Sequence, residues 1–412
     1  MYLTHLSLTN FRNFARLDLD VPQGVVLLVG ANAQGKTSLL EAIYFLATFV
    51  SFHASSDREL INFLAARQSL AVGRIVADFC REQADPKSAA HQSAAHRLEV
   101  RLIQEAQGTN GSLRLRKEAL LDGMRYKVSE VIGRFNAVLF LPQTLRIIEG
   151  APEERRRYLN LTLAQVWPHY AAYLAEYTRV LAQRNALLKQ IGERGSDPAQ
   201  LLYWDEQLAA SGAQLIYARI HAVQELERLA TLSHRELSAG QEILRLSYEP
   251  AYDPLPHPGR QIALPLDAPI DRSTLTLSKI QQGFLEELHR VRGEEIARGV
   301  TTIGPHRDEL RFLSNGIDLG VYGSRGQARS AVLSLKLAEM GWMKEKTGQS
   351  PVLLLDEVLA ELDTQRRADL LARLTESQQA LLTTTDLDLF PPDFVRRVAL
   401  WRIETGRMVA ME

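Results

Sequence analysis

A single cysteine, Cys80, in 412 residues leaves nothing from which to build an internal disulfide framework, and this fits a reducing compartment. Cys80 itself reads as a small core residue rather than a reactive thiol. An excess of either charge is also missing. Forty-eight basic residues face 49 acidic ones, for a formal net charge of −1. No global basic signature therefore marks the chain for nucleic acid, and any such surface must be a local patch. The longest apolar run, near Ala42 to Phe52, is too short to span a bilayer. The first residues show no basic stretch followed by an apolar core, so no signal peptide is expected. Together these absences predict a cytoplasmic protein. The composition, 46% hydrophobic and 24% charged, is that of an ordinary globular chain. The length allows two or three domains around a large core.

What is present centres on Gly30-Ala31-Asn32-Ala33-Gln34-Gly35-Lys36-Thr37, a G-x-x-x-x-G-K-T stretch. The apolar run Val25 to Val29 before it suits a buried strand, and Ser38 to Tyr44 after it suits a helix, which is the context a phosphate-cradling loop needs. Glycines let the backbone curl so that several N–H groups converge on one anion, and the helix N-terminus adds a favourable field. Lys36 can reach the outer phosphates, Thr37 offers a hydroxyl to magnesium, and Gly30, Asn32, Gly35 and Ser38 complete the nucleotide-binding stretch.

Along the chain, Tyr2 to Thr9 and Leu17 to Val21 alternate in the manner of strands and predict a hairpin leading into the glycine-loop strand. Val72 to Cys80, Leu98 to Gln104, Leu113 to Lys117 and Ala137 to Leu141 read as further strands. Glu82 to His96 is polar and aperiodic and reads as a solvent loop; Gln107 to Gly111 reads as a turn. From Pro152 to about Gly240 the pattern is helical, with Leu159, Leu163, Val166, Tyr170, Tyr173, Tyr177, Val180, Leu187 and Ile191 at alternating three-and-four spacing and Arg184 as the one interruption. Pro168 must break the run into two helices. A turn at Gly195 to Pro198 precedes a long helix from Ala199 to about Leu237. This stretch predicts a short antiparallel helical arm or lid, although the same pattern suits the core positions of any helical domain. Tyr248 to Pro269 is proline-rich and reads as irregular linker, and Leu277 to Arg298 as helix. Strands over Pro351 to Leu355 and Ala380 to Thr384 flank a helix at Thr364 to Thr375, and Val398 to Ile403 with Met408 to Met411 can close the chain as a hairpin.

Two further motifs carry chemistry. Val352-Leu353-Leu354-Leu355-Asp356-Glu357 is a buried strand delivering two carboxylates. Asp356 is placed to hold magnesium and Glu357 to polarise the attacking water as general base. Gly323-Ser324-Arg325-Gly326-Gln327 opens the helical stretch Ala328 to Met343 and resembles the signature loop of ABC-type ATPases. Its helix tip could present N–H groups and a hydroxyl to phosphate, whereas a serine N-cap on a surface helix is the plain alternative. In that superfamily the phosphate belongs to the ATP of the other protomer, so ATP holds a two-fold dimer together. Ala360-Glu361-Leu362-Asp363 resembles the loop that follows, where Asp363 would face the partner. Gln143 sits where the superfamily places a glutamine that senses the γ-phosphate and its metal. Arg12 sits where SMC-like ATPases bring a basic residue to the phosphates. Each also reads as an ordinary solvated side chain.

Leu8-Thr9-Asn10-Phe11-Arg12-Asn13-Phe14, the glycine loop, Trp204 to Ala209, Gly304-Pro305-His306-Arg307-Asp308, Gly323 to Gln327 and Thr383-Thr384-Thr385-Asp386 occur in this order. Together they resemble the RecF family of bacterial repair ATPases, in the SMC-like branch, over essentially the whole chain. The resemblance implies an α/β fold: an ABC-type P-loop ATPase head with mixed sheets and an inserted, mainly helical lid or short arm. The implied segments are 1–150 and 301–412 for the two halves of the head and 151–300 for the arm. It implies ATP and Mg2+ as cofactors, with Lys36 and Glu357 as catalytic residues. Thr37, Asp356 and Gln143 would stand at the metal, and Ser324, Gly326, Gln327 and Asp363 would reach nucleotide across a homodimer. It further implies a slow, DNA-stimulated ATPase acting in recombinational repair, replication-fork maintenance and the SOS response. ATP would drive dimerisation on gapped DNA, and RecR and RecO would be partners in loading RecA. An ABC-type subunit of a transporter or another SMC-like clamp is the alternative. A transporter subunit would carry a switch histidine where this chain has Asp386. His306 beside Asp308 is thin for a metal and reads as structural. Candidate DNA patches are Arg114, Arg116 and Lys117; Arg125, Lys127 and Arg134; and Arg155, Arg156 and Arg157, against ordinary solvated charge.

Overall fold

The opening strands pair as their alternation predicts. β1 (Tyr2–Phe11) and β2 (Phe14–Asp20) form an antiparallel hairpin with Leu6, Leu8, Leu17 and Leu19 buried. β3 (Gly24–Val29) then runs into the glycine loop, and α1 (Lys36–Thr48) follows. The hairpin leads into β3 as read, and β3 lies in a second sheet. The hairpin is extended by β4 (Leu70–Gln83), β5 (Gln92–Gln107), β6 (Ser112–Leu121) and β7 (Met124–Tyr126) into an antiparallel sheet of order β2-β1-β4-β5-β6-β7. β8 (Ala137–Phe140) belongs with β3.

The computed structural model describes residues 1–83, 92–107, 112–255 and 271–411. Much of the expected solvent loop over Glu82 to His96 is strand: the β4–β5 ladder continues through Arg81↔Ala94 to Gln83↔Gln92. Main-chain pairing needs no apolar face, so hydrophobic period is silent there. The turn expected at Gln107 to Gly111 lies largely outside the described residues, as do residues 256–270 of the expected linker. Tyr248 is not linker: it lies in β9, described next.

The helical stretch breaks where proline dictates. α2 (Pro152–Val166) ends before Pro168, and α3 (Tyr170–Arg194) restarts after His169, whose φ is +61°. α4 (Leu201–Leu237), β9 (Leu244–Glu249), α5 (Leu277–Arg298), β10 (Glu309–Ser314) and β11 (Ile317–Asp318) follow, and the three strands form a sheet of order β11-β10-β9. Arg184 does not interrupt the buried stripe of α3. It is fully buried, 2.7 Å from both Asp205 of α4 and Glu295 of α5, and its Nη1 donates to Thr301 at 2.8 Å. The charge that breaks the hydrophobic period is thus the electrostatic joint of three helices. Gly304 is needed at its position: its φ is +114°, and a Cβ there would meet the Tyr177 hydroxyl at 2.6 Å and Phe284 at 2.7 Å.

After α6 (Arg325–Thr347), β12 (Val352–Asp356), α7 (Thr364–Thr375), β13 (Gln379–Thr384), β14 (Ala399–Glu404) and β15 (Arg407–Met411) return the chain to the sheet of β3. Its order is β15-β14-β3-β13-β12-β8. All neighbours are parallel except β15, which closes the expected hairpin with β14. α1 packs against strands of both six-stranded sheets, and Phe11, Phe14, Leu39, Ile43, Phe45 and Leu354 share one core. Cys80 is only half-buried, not a core residue.

The chain divides into two compact units, Met1–Thr144 with Met340–Glu412, and Leu145–Glu339. Residues 301–339 therefore group with the helices, whereas the sequence reading places the return to the head at 301. No helix among the described residues is long and apolar enough to cross a membrane.

Candidate nucleotide site

The register of the parallel sheet brings the chemistry to one edge. Thr384 pairs with Val29 and Thr383 with Asp356, so the glycine loop, the end of β13 and the end of β12 stand level at the strands' carboxyl ends. In open parallel sheets this is where ligands bind. The loop geometry is fixed by two glycines. Gly35 has φ +116°, and a Cβ there would meet Asn13 Nδ2 at 2.6 Å; at Gly30 a Cβ would meet the Ile403 carbonyl at 2.5 Å.

Lys36 is 4% exposed and donates to the carbonyls of Gly30 at 2.6 Å and Ala31 at 3.1 Å, so its ammonium spans the loop. Thr37 Oγ1 lies 3.0 Å from both carboxylate oxygens of Asp356. Thr383 Oγ1 donates to Asp356 Oδ1 at 2.7 Å and accepts from the Glu357 N–H at 3.1 Å. A hydroxyl and a carboxylate converging beside a phosphate loop is the hard-oxygen donor set that suits magnesium, with phosphate and water as the remaining ligands. Glu357 adopts φ +52°, a costly conformation for a non-glycine residue and one that accumulates at functional sites. Its carboxylate is 3.5 Å from Lys36 Nζ and 41% exposed.

A cavity of about 790 Å3 opens here, lined by Arg12, Asn32, Gly35, Lys36, Thr37, Ser38 and Glu357 among others. Arg12 does not wave in solvent. Its guanidinium grips Glu41 of α1 through two bonds of 2.7 and 2.8 Å, and its backbone is held at φ +52°. Glu41 is 1% exposed and also accepts from Ser51 at 2.5 Å. Sequence reasoning missed Glu41 because a single acid inside an apolar helix gives no periodic signal. It also missed Thr383 as the residue that holds Asp356, although Thr383 lies in a stretch singled out for other reasons.

The second unit carries the signature-like loop. Ser324 Oγ accepts from the Gln327 N–H at 3.2 Å, while the Gln327 side chain accepts from the Ser324 N–H at 3.0 Å. This reciprocal capping box starts α6. Gln327 Nε2 donates onward to Glu242 Oε1 at 3.1 Å, and Glu242 also meets His234 and Ser314, each at 3.1 Å. Burial raises the Glu242 carboxyl, but hydrogen bonds from Gln327, His234 and Ser314 outweigh it and hold the group below the usual carboxylate range. Gly326 is exposed and open: a Cβ there would meet only Ser324 Oγ, at 3.8 Å.

The remaining expected residues divide. Gln143 is exposed in the turn after β8, next to the strand that carries Asp356, and does not line the cavity. Asp363 caps α7, accepting from the Arg366 N–H at 2.9 Å, which holds its carboxyl low. Asp386 accepts from the Asp388 N–H at 2.8 Å and so serves its own turn. His306 is structural, as read: its ring contacts the Tyr177 hydroxyl at 2.7 Å and the Thr301 carbonyl at 3.2 Å, and burial pushes it down to about 4. Most of the basic patches are committed to carboxylates. Arg155 pairs with Glu309, Arg156 with Glu153, Arg116 and Arg125 with Glu118, and Lys117 with Asp57. Arg114, Lys127 and Arg134 are exposed.

The family model described as RecF/RecN/SMC N terminal domain matches residues 2–391. A "DNA replication and repair protein RecF" from Chloroflexus aurantiacus is 42% identical, each chain covered to 100%. The protein of the same name from Bacillus subtilis is 34% identical, with 99% of this chain and 100% of that protein covered. Among solved structures, "the recombination mediator protein RecF-ATPrS in RecFOR pathway" superposes with a TM-score of 0.79 at 30% identity, over 99% of this chain and 98% of that one; its counterpart "RecF-ATP" gives the same values. With the phosphate loop, the carboxylate strand and the sheet order in place, these full-length similarities establish that the chain belongs to the RecF family of SMC-like ATPases.

Proposed function

We propose that this chain is an ATP-hydrolysing, DNA-binding protein of recombinational repair whose nucleotide state controls homodimerisation. The observation that carries the reading is the placement of Thr37 3.0 Å from both oxygens of Asp356, with Glu357 3.5 Å from Lys36. Lys36 and the loop N–H groups would bind the outer phosphates of ATP, and Thr37 and Asp356 would hold magnesium. Magnesium held by Thr37 and Asp356 would supply charge neutralisation at the phosphoryl group. Glu357, held in its strained turn beside Lys36, orients and deprotonates water; a positioned base of this kind contributes about 10²- to 10⁴-fold in rate. Arg12, pinned by Glu41, lends the cavity wall a fixed cation. Asn32, Ser38 and Gly35 complete the cradle.

Ser324, Gly326 and Gln327 would reach the γ-phosphate of a second copy, with Asp363 and Gln143 near the shared nucleotide. ATP would then hold two copies together, and slow hydrolysis would release them. The relatives' names support DNA as the partner, and RecR, RecO and RecA enter by family resemblance. Contacts to phosphate without sequence readout fall to exposed cations such as Arg114, Lys127 and Arg134. The proposed setting is the cytoplasm. The direct test is Lys36→Met: equilibrium ATP binding should be abolished, and unchanged affinity would contradict the assignment.

A further inference from the structure

The tip of α6 is exposed, yet its geometry is not left to solvent. The Gln327 amide has one accepting and one donating end, and each has a fixed use. Its Oε1 accepts from the Ser324 N–H at 3.0 Å, and its Nε2 donates to Glu242 Oε1 at 3.1 Å. An ionised carboxylate only accepts, so Glu242 dictates which end of the amide faces Ser324. Despite partial burial, bonds from Gln327, His234 and Ser314 hold the Glu242 carboxyl low and keep it in that form. Ser324 Oγ accepts from the Gln327 backbone N–H at 3.2 Å, and among the described residues its own hydroxyl hydrogen has no acceptor. Glu242 is itself braced. It lies in the loop between α4 and β9, where its N–H donates to Ser238 Oγ at 3.3 Å. Its Oε2 meets His234 Nε2 of α4 and the Ser314 hydroxyl of β10, each at 3.1 Å, and both of those residues are buried. The far side of the His234 ring, Nδ1, lies 3.0 Å from Ser334 Oγ, further along α6. One carboxylate thus joins the helix tip to α4, to β10 and, through His234, to the body of α6. All of these groups lie within the unit Leu145–Glu339.

We infer that Glu242 is a positioning residue for the nucleotide held by a second copy: it fixes Gln327, and through Gln327 the Ser324 loop, so that the Ser324 hydroxyl hydrogen stays available to a γ-phosphate. The inference rests on the dimer reading above and adds the residue that prepares the helix tip before ATP arrives. Donors held in place beforehand stabilise an anion without the cost of reorganising. Without the carboxylate, Gln327 could turn its donating end towards Ser324. The Ser324 N–H would then lose its acceptor, and the loop would be free to leave the helix. Such a loss is worth about one ordinary hydrogen bond, roughly 3- to 10-fold at one tip. A two-fold dimer has two tips, so the effect enters twice, as about 10- to 100-fold in dimer affinity.

The test is sedimentation velocity with ATP, magnesium and a gapped duplex on the chain carrying Glu357→Gln. This parent is compared with the same chain bearing Glu242→Ala, Gln327→Ala or both, and ATP binding is measured on each as dilute monomer. Glu242→Ala should weaken the dimer about 10- to 100-fold, while monomer ATP affinity, set by the glycine loop, stays within about twofold. Gln327→Ala should weaken the dimer at least as much. Adding Glu242→Ala to it should then change dimer affinity by less than about twofold, because Glu242 has nothing left to hold. A residue that served only the stability of the helical unit would instead add its full effect. Parent-like dimerisation of Glu242→Ala, or losses that add in the double variant, would overturn the inference. Glu242→Asp gives a reading that does not depend on alanine being tolerated. It keeps the charge beside His234 but falls one methylene short of Gln327, and it should weaken the dimer at least about threefold; parent-like dimerisation there would also overturn the inference. A parent chain that stays monomeric with ATP would refute the dimer reading, and the inference with it.

Discussion

Replacing Glu357 by glutamine isolates a single proton-accepting group. The substitution keeps the side chain's length and leaves the backbone at φ +52° and the Glu357 N–H bond to Thr383 undisturbed. It removes a charge 3.5 Å from Lys36, but Glu357 is 41% exposed, and ion pairs so open to water contribute at most about 1 kcal/mol. ATP affinity should therefore move by no more than about fivefold, in either direction. Loss of the general base should lower the single-turnover hydrolysis rate by about 10²- to 10⁴-fold, or roughly 3–5 kcal/mol of barrier. Rapid-quench measurement of radiolabelled phosphate, beside equilibrium ATP binding, separates the two quantities. A hydrolysis rate within about threefold of wild type would refute the assignment of water activation to Glu357. A tenfold or larger loss of ATP affinity would refute the claim that its ion pair with Lys36 is weak.

Two further substitutions test the helical unit. Arg184→Leu leaves the buried carboxylates of Asp205 and Glu295 short of a cation, with Arg292 still 2.8 Å and His289 3.9 Å from Asp205. Breaking a buried pair from one side costs about 3–5 kcal/mol, readable by urea denaturation through Trp204, and a loss below about 1 kcal/mol would contradict the burial of the cluster. His306 is the pH-sensitive case. Its folded value near 4 lies below the ordinary 6.5, so its contribution is complete above pH 6.5 and is lost as pH falls towards 4. The difference in unfolding free energy between wild type and His306→Gln should shrink over that window by up to about 3 kcal/mol; a difference that is constant with pH would contradict a neutral, buried imidazole.

The parts of the fold legible in the sequence were those where a local pattern and the tertiary demand coincide. The glycine loop had its strand and helix on either side, Pro168 broke a helix as it must, and the apolar run ending at Asp356 is buried on both faces. What was not legible depends on partners distant in sequence. Nothing local assigns β3 to a sheet other than that of β1, because sheet membership is set by pairing with β13 and β14, more than 350 residues on. Arg184 looked like an error in a stripe because its partners, Asp205 and Glu295, lie on other helices. Arg155 looked like part of a basic patch because the strand carrying its partner Glu309 returns beside it only in the folded chain. In the site, Lys36, Thr37, Asp356 and Glu357 were named from motif spacing. Glu41, Thr383 and Glu242 were not, since each holds a neighbour rather than carrying a motif of its own.

The central claim is that triphosphate is gripped by the glycine loop of one copy and the α6 tip of another. Multi-angle light scattering with ATP and gapped duplex tests it on Glu357→Gln with and without Ser324→Arg. Ser324 Oγ caps only its own helix at 3.2 Å, so losing it costs about 1 kcal/mol of local stability and leaves the glycine loop of the other unit untouched. The account predicts a dimer for Glu357→Gln and a monomer that still binds ATP for the double variant. A dimer that persists with arginine at position 324 would contradict it.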